Sequence, residues 1–163
     1  MPIRRIAVLA LSLAVAATRA AAGPPPAPTG RWLTQDGDAV IEVLRCGDAL
    51  CGRIVGMRLD HPTDPAPVDW RGNSQCGLMI LNDAQPEDDG WFGRITDPSN
   101  GSVWQVRLTA APDGTLHLRG YVGIPLLGQT QVWTHYTGPV PSDCRLPGAT
   151  EASPDRHPDG GNG

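Results

Sequence analysis

The chain has 163 residues, of which 40% are hydrophobic and 18% charged, with 20 Gly and 17 Pro. That length supports one core, not two, and so much Gly and Pro excludes a helical bundle or a coiled coil. Every basic residue is Arg, the formal net charge is −4 and no basic stripe occurs, which argues against a nucleic-acid partner.

In chain order, Arg4 and Arg5 precede an apolar run over residues 6–17, followed by small residues ending in Ala20, Ala21 and Ala22. Basic, then apolar, then small is the order of a secretory signal, so residues 1–22 are expected to be a signal peptide cleaved after Ala22. The apolar run is shorter than the roughly 20 residues that span a bilayer, so no membrane span is expected after cleavage. No Cys stands at the cleavage point, and no lipid anchor is expected. Removing 1–22 takes away Arg4, Arg5 and Arg19 and no acid, leaving ten Arg against 17 acids, a net −7. The expectation is an acidic, soluble, monomeric protein, periplasmic or secreted.

Residues 23–29, Gly-Pro-Pro-Pro-Ala-Pro-Thr, read as a polyproline-like spacer with no means of building a core. Short β-rich runs follow, with strands expected at 30–34, 39–46, 50–57, 77–81, 91–96, 103–109, 115–122 and 130–136. Between them, Gln35-Asp36-Gly37-Asp38, the Asp97-Pro98-Ser99-Asn100-Gly101 segment and Ala111-Pro112-Asp113-Gly114 are turn signals, because Gly accepts positive φ and Pro presets φ. Beyond the signal no window repeats apolar residues at helical spacing, so helix content is expected to be very low.

Alternation assigns the faces. Ile41, Val43 and Ile54 share one side, and so do Trp104, Val106 and Leu108; Leu116 and Leu118 oppose His117, Arg119 and Tyr121. Glu42 is expected diagonal to Arg53 on the outer face, within reach of a weak exposed ion pair. Eight strands with short connections can close into a small up-and-down antiparallel β-barrel that leaves no edge and has room for packed side chains or one small ligand. The stretch 58–75, rich in Asp, Pro and Gly, is too long for a hairpin loop, and such loops are often functional. The barrel domain is expected over 30–146, and the small, polar tail from 147 to 163 is expected to be disordered.

Cys46, Cys51, Cys76 and Cys144 form an even set, which in an oxidising compartment favours disulfides. Four cysteines allow three connectivities. Cys46 and Cys51 bracket the turn-like Gly47-Asp48-Ala49-Leu50 and can meet across a hairpin, which leaves Cys76 for Cys144. A zinc site is the competing reading, but the spacing has no CxxC pair and no His close in sequence to Cys46 or Cys51.

Several segments resemble a family of exported bacterial proteins catalogued as domain of unknown function 2147. They are Gly30-Arg31-Trp32, the block from Cys46 through Leu50-Cys51-Gly52-Arg53-Ile54 to Val55, Cys76-Gly77-Leu78, the Gly90-Trp91-Phe92-Gly93-Arg94-Ile95 run and Gly128-Gln129-Thr130-Gln131-Val132-Trp133-Thr134. The order is kept from about Gly30 to Tyr136, and the cysteine block is the most specific part. The resemblance implies a calycin-like or lipocalin-like barrel in the periplasm, with no agreed activity or ligand. Related sequences end the last strand Trp-Thr-Arg, where this chain has His135 after Trp133 and Thr134. In lipocalin-type barrels a basic residue near the end often packs on the first-strand Trp, so the resemblance implies at most a weaker contact of this kind between Trp32 and His135.

Candidate chemistry is sparse. Asp60, His61, Asp64 and Asp69 cluster in the long loop, but they match no calcium-loop template, and Asp before Pro is common turn chemistry. Glu87, Asp88 and Asp89 before Gly90 read as a solvated turn. Asp155, His157 and Asp159 lie in the tail and could chelate a metal only adventitiously. No metal site and no cofactor are expected. His61, His117 and His135 stand beside no nucleophile motif, and Glu42 is the only Glu on an expected strand, so no catalytic residue is assigned. Five Trp in a chain with one Phe and two Tyr point to a lined pocket or an anchored interface. Core filling suits Trp32, Trp104 and Trp133 well; Trp70 and Arg71 in the long loop are the expected rim. The sequence therefore points to a non-catalytic protein binding a small apolar or amphipathic ligand through Trp70, Arg71, Trp32, Trp133 and His135. The alternatives are a filled barrel that binds an envelope protein, and a small hydrolase.

Overall fold

Alternating apolar positions and glycine-bearing turns give eight strands in the computed structural model, which describes residues 23–147. The expected signal peptide, the tail residues 148–163 and with them Asp155, His157 and Asp159 lie outside the described residues. The strands are β1 (Gly30–Leu33), β2 (Ala39–Cys46), β3 (Ala49–Met57), β4 (Met79–Glu87), β5 (Gly90–Thr96), β6 (Val103–Ala110), β7 (Leu116–Tyr121) and β8 (Gln129–His135). Each pairs antiparallel with the next, and β8 returns to β1 to close the barrel. A single 3-10 turn at Pro125–Leu127 is the helical content among the described residues, and no described helix is long and apolar enough to cross a membrane.

The inward faces are those that alternation marks. Ile41, Val43, Ile54, Val106, Leu108, Leu116 and Leu118 are all buried in one cluster with Trp32, Trp91 and Trp133, each aliphatic side chain contributing about 1.5–3 kcal/mol on burial. Gly52 sits against Leu81 and Ile41, so side chains of β2 and β4 close over a position of β3 that has none.

Three expectations change. The fourth strand does not stop at Leu81 but continues to Glu87, through a register shift between Asn82 and Gln85 where Asp83 adopts φ 50°. Asp83 and Pro86 look like strand breakers; a bulge absorbs the first, and the second falls near the strand end, where a missing N–H is tolerated. The β2–β3 hairpin is tighter than expected: Cys46 opposes Ala49 across Gly47 and Asp48, with Gly47 at φ 68°. Glu42 therefore faces Arg53 directly, not diagonally, and Cys46 and Cys51 are diagonal neighbours joined as a disulfide with Cα atoms 5.9 Å apart. Tyr121, placed outward by parity, is buried because the β7–β8 connection folds back over it at Gly128.

Both ends of the described chain pack on the barrel. At the end carrying the β2–β3, β4–β5 and β6–β7 turns, Trp91 Nε1 donates to the Pro26 carbonyl at 3.1 Å and Trp32 Nε1 to that of Pro28 at 3.0 Å. Pro28 is buried and Ala27 packs against the core. For these two residues the expectation of a spacer without core contact does not hold, because two buried indoles needed acceptors. Beyond β8, the chain returns to the end of β3: the Met57 N–H donates to the Cys144 carbonyl and the Leu146 N–H to that of Met57, at 2.7 and 2.9 Å. Leu146 packs outside the barrel on Gly56 and Val40, and a Cys76–Cys144 disulfide fixes this return to the start of β4.

Candidate functional site

The barrel is filled at one end and empty at the other. Along the inward face of β7, Leu116 and Leu118 are followed by Gly120, where an added Cβ would meet nothing within 4 Å. A cavity of about 540 Å³ opens at that level, within the range of roughly 300–1,000 Å³ typical of small-molecule sites. Its depth is apolar, formed by Ile80, Ile95, Val106, Leu118 and Trp133, while Trp104 stands half exposed at its mouth.

Two connections and one strand end, distant in sequence, supply the rim: Gln35 and Asp36 between β1 and β2, Asp97 and Pro98 between β5 and β6, and Gln129 to Gln131 at the start of β8. The Trp133 Nε1 donates to Gln131 Oε1 at 2.8 Å, and the Val132 N–H donates to Gln35 Oε1 at 3.0 Å. Both side-chain amides thus have their carbonyl oxygens engaged, and each keeps an NH2 group as a donor. Burial pushes the Asp97 carboxyl up, but donors on Ser99 and Asn100 outweigh it and hold the group below the ordinary carboxylate range. Asp97 is thus anionic at neutral pH. No Arg or His lines the cavity among the described residues.

The expected site residues do not gather in one place. Trp133 lines the cavity. Trp32 and His135 do meet, with ring centroids 3.9 Å apart, but Trp32 is tied to Pro28 toward the filled end and neither lines the cavity. Trp70 and Arg71 do not line it either. The Trp70 N–H donates to the Pro98 carbonyl at 3.0 Å, and Arg71 lies over the Trp70 ring at 4.6 Å, so they brace the rim from outside. Trp104, expected as core, is 40% exposed, because the strand pair around it ends at the open mouth. Sequence reasoning missed Gly120, Gln131 and Asp97. Of these only Gly120 leaves a signal, as a glycine continuing an inward Leu-x-Leu pattern.

The long loop, residues 58–78, is built as a bracket. Asp69 is buried, and its Oδ1 accepts from the Arg71 and Asn73 N–H groups at 2.9 and 2.8 Å. Burial raises that carboxyl, and these amides more than offset it, leaving it below its usual value. Asp64 Oδ2 accepts from the His61 N–H, and the Arg145 guanidinium donates to the Pro62 and Asp64 carbonyls. Asp64 and Asp69 thus serve turns, and no group of three or more His, Cys, Asp or Glu among the described residues could hold a metal. His117, opposite Val132 on the outer face, and Glu42, held by Arg53 and Arg31, both stand away from the cavity.

No curated protein matches the chain. Among solved structures it is similar to the protein HP1028 from the human pathogen Helicobacter pylori, described as belonging to the lipocalin family. The two are 17% identical with a TM-score of 0.57, over 68% of this chain and 83% of that one, a likeness that shows the fold, a lipocalin-like barrel. The model of the family described as "Uncharacterized protein conserved in bacteria (DUF2147)" matches residues 30–135, from the first residue of β1 to the last of β8, and the chain belongs to that family.

Proposed function

We propose that this protein binds a small amphipathic molecule in the open end of the barrel, without catalysis, as an exported protein of the cell envelope. The observation that carries the reading is the cavity of about 540 Å³, apolar in its depth and polar at its mouth. Apolar surface left in water at the bottom of a closed cup is a standing drive for an alkyl or ring system to enter. The rim selects the head group: Asp36 and Asp97 with two amide side chains, and no cation, suit a neutral or cationic head and disfavour a carboxylate or phosphate. Two disulfides agree with an oxidising compartment. A filled barrel acting only through a protein partner has less support, since the mouth half is empty. A hydrolase has less support too, because the histidines and Glu42 stand apart from the cavity.

The test is titration with the neutral fluorophore N-phenyl-1-naphthylamine, followed by displacement with alkylammonium and fatty-acid chains of equal length. Wild type should bind, and the alkylammonium should displace at least about tenfold more effectively than the fatty acid. Gly120→Leu, which places a side chain in the empty space, should weaken binding by at least about tenfold, the equivalent of 1.4 kcal/mol, without lowering the melting temperature. Equal affinity in wild type and Gly120→Leu would overturn the site; equal displacement by the two chains would overturn the head-group selection.

A further inference from the structure

The connection between β7 and β8 carries the most exposed apolar side chains of the described chain. Leu126 is 82% and Leu127 77% exposed, with Val122 and Ile124 also open to solvent. On the neighbouring strand, Trp104 comes level with Val122, one residue beyond the Gln105–Tyr121 pair, and is half exposed too. Residues 122–128 contain no charged or hydrogen-bonding side chain. A cluster of this kind is normally covered by something.

Within this tip the carbonyls of Ile124, Pro125 and Leu126 and the N–H groups of Leu127 and Gly128 are satisfied from within. Arg119 reaches out of β7 and donates from Nε to the Pro125 carbonyl at 2.9 Å and from Nη2 to the Leu126 carbonyl at 3.2 Å. Its Nη1 is anchored on Thr130 Oγ1 at 3.0 Å. The Leu127 N–H donates to Ile124 and the Gly128 N–H to Pro125, closing the 3-10 turn, and Pro125 has no N–H to satisfy. A surface entering lipid must meet its backbone hydrogen bonds internally, since no partner waits there. A protein partner would impose no such demand, and a knob of four side chains is small beside the roughly 800 Å² that each partner contributes to a standard protein interface.

We propose that this tip inserts into the headgroup and acyl boundary of a lipid bilayer. Arg119, the cation beneath it, is engaged with the loop itself, the adjacent rim carries Asp36 and Asp97, and the chain is net negative. Insertion therefore runs on apolar area and not on attraction to anionic lipid, the opposite of a polybasic anchor. The tip leaves the barrel at Gly120 and re-enters at Gln129, both of which line the cavity, so docking turns the open mouth toward the lipid surface.

The test is flotation of the protein, purified in its naturally processed form, with phosphatidylcholine vesicles at low salt and at about 1 M salt, where screening acts over about 3 Å. Wild type should float at both salt concentrations. The Leu126→Asp/Leu127→Asp variant should lose at least about tenfold in vesicle affinity with an unchanged melting temperature, because both changes lie in solvent. Gly120→Leu, which occupies the cavity, should float as wild type does, and this separates surface docking from uptake of a lipid into the barrel. Equal flotation of the double Asp variant would overturn the proposal. So would failure of wild type to bind vesicles, and a photocrosslinker at position 126 that then labels a protein would identify that class of partner instead.

Discussion

His135 lies on the face of Trp32, ring centroids 3.9 Å apart and planes 30° from parallel, and so joins the last strand to the first. The β1–β8 ladder is short, pairing Trp32 with His135 and Leu33 with Thr134, so closure of the barrel draws on this stack as well as on main-chain bonds. His135→Ala should lower stability by about 1 kcal/mol, the order of an aromatic pair beyond its buried area. Trp32→Ala, which also orphans the Pro28 carbonyl, should cost about 3–5 kcal/mol. Urea unfolding checks both. His135→Arg, which places a planar cationic group over the Trp32 ring, should be at least as stable as wild type, and a His135→Ala protein of unchanged stability would show that the stack contributes nothing to closure.

Glu42 gives the outer face a pH dependence. The hydrogen bond from Arg53, with Nη2 at 2.7 Å and Nε at 3.0 Å, outweighs burial, and with help from Arg31 it holds the carboxyl below its ordinary value. A carboxyl depressed in the folded state stabilises the protein above its unfolded-state value and loses that contribution as the pH falls through the folded value. The stability gap between wild type and Glu42→Gln should therefore be constant above about pH 5 and shrink below about pH 4. Unfolding curves at several pH values read this directly; a gap that is the same at both ends would assign the cost of Glu42→Gln to shape and not to charge.

The two disulfides should differ in weight. Cys76–Cys144 spans 68 residues and Cys46–Cys51 only 5, and the loop-closure entropy removed from the unfolded chain grows with that span. Chain-entropy reasoning gives about 4 kcal/mol for the long link and about 2 kcal/mol for the short one. The Cys76→Ser/Cys144→Ser pair should unfold at a distinctly lower urea midpoint than Cys46→Ser/Cys51→Ser. The reverse order would mean that the hairpin link acts through the folded state.

The barrel was legible because its faces alternate. Ile41, Val43, Val106, Leu108 and Leu118 stand at two-residue spacing between turns whose Gly and Pro leave the backbone little choice. β4 was half hidden, since Asp83 and Pro86 carry local preferences against a strand that only its pairing with β5 overrides. The mouth was harder still. Gln35, Asp97 and Gln131 are tens of residues apart and meet only because two connections and the start of β8 stand at one end of a closed barrel. Trp70 and Arg71 read as a rim from composition alone. Sequence could not show that Trp70 faces a glycine in another loop, which makes it a brace and not a lining.

That brace is testable. Gly101 sits at φ 76° with Trp70 directly above it, so that an added Cβ would lie 2.7 Å from Trp70 Cε2. The Trp70 N–H holds the Pro98 carbonyl, and Pro98 and Asp97 line the cavity mouth. Gly101→Ala adds both a clash and a disfavoured left-handed backbone, and it should push the long loop off the β5–β6 turn. Trp70→Ala should do the same by removing the ring, whereas Arg71→Ala, losing a solvent-exposed cation–π contact of about 0.5–1 kcal/mol, should do much less. The expected result is rapid protease cleavage within residues 58–78 for the first two variants. Probe affinity should fall severalfold with little change in melting temperature, because Trp70 is itself half exposed. Loosening a wall of a pre-formed site costs affinity by adding order that binding must restore. If Trp70→Ala resists protease as wild type does, the loop is held by Asp69 and Arg145 alone, and Trp70 has no positioning role at the mouth.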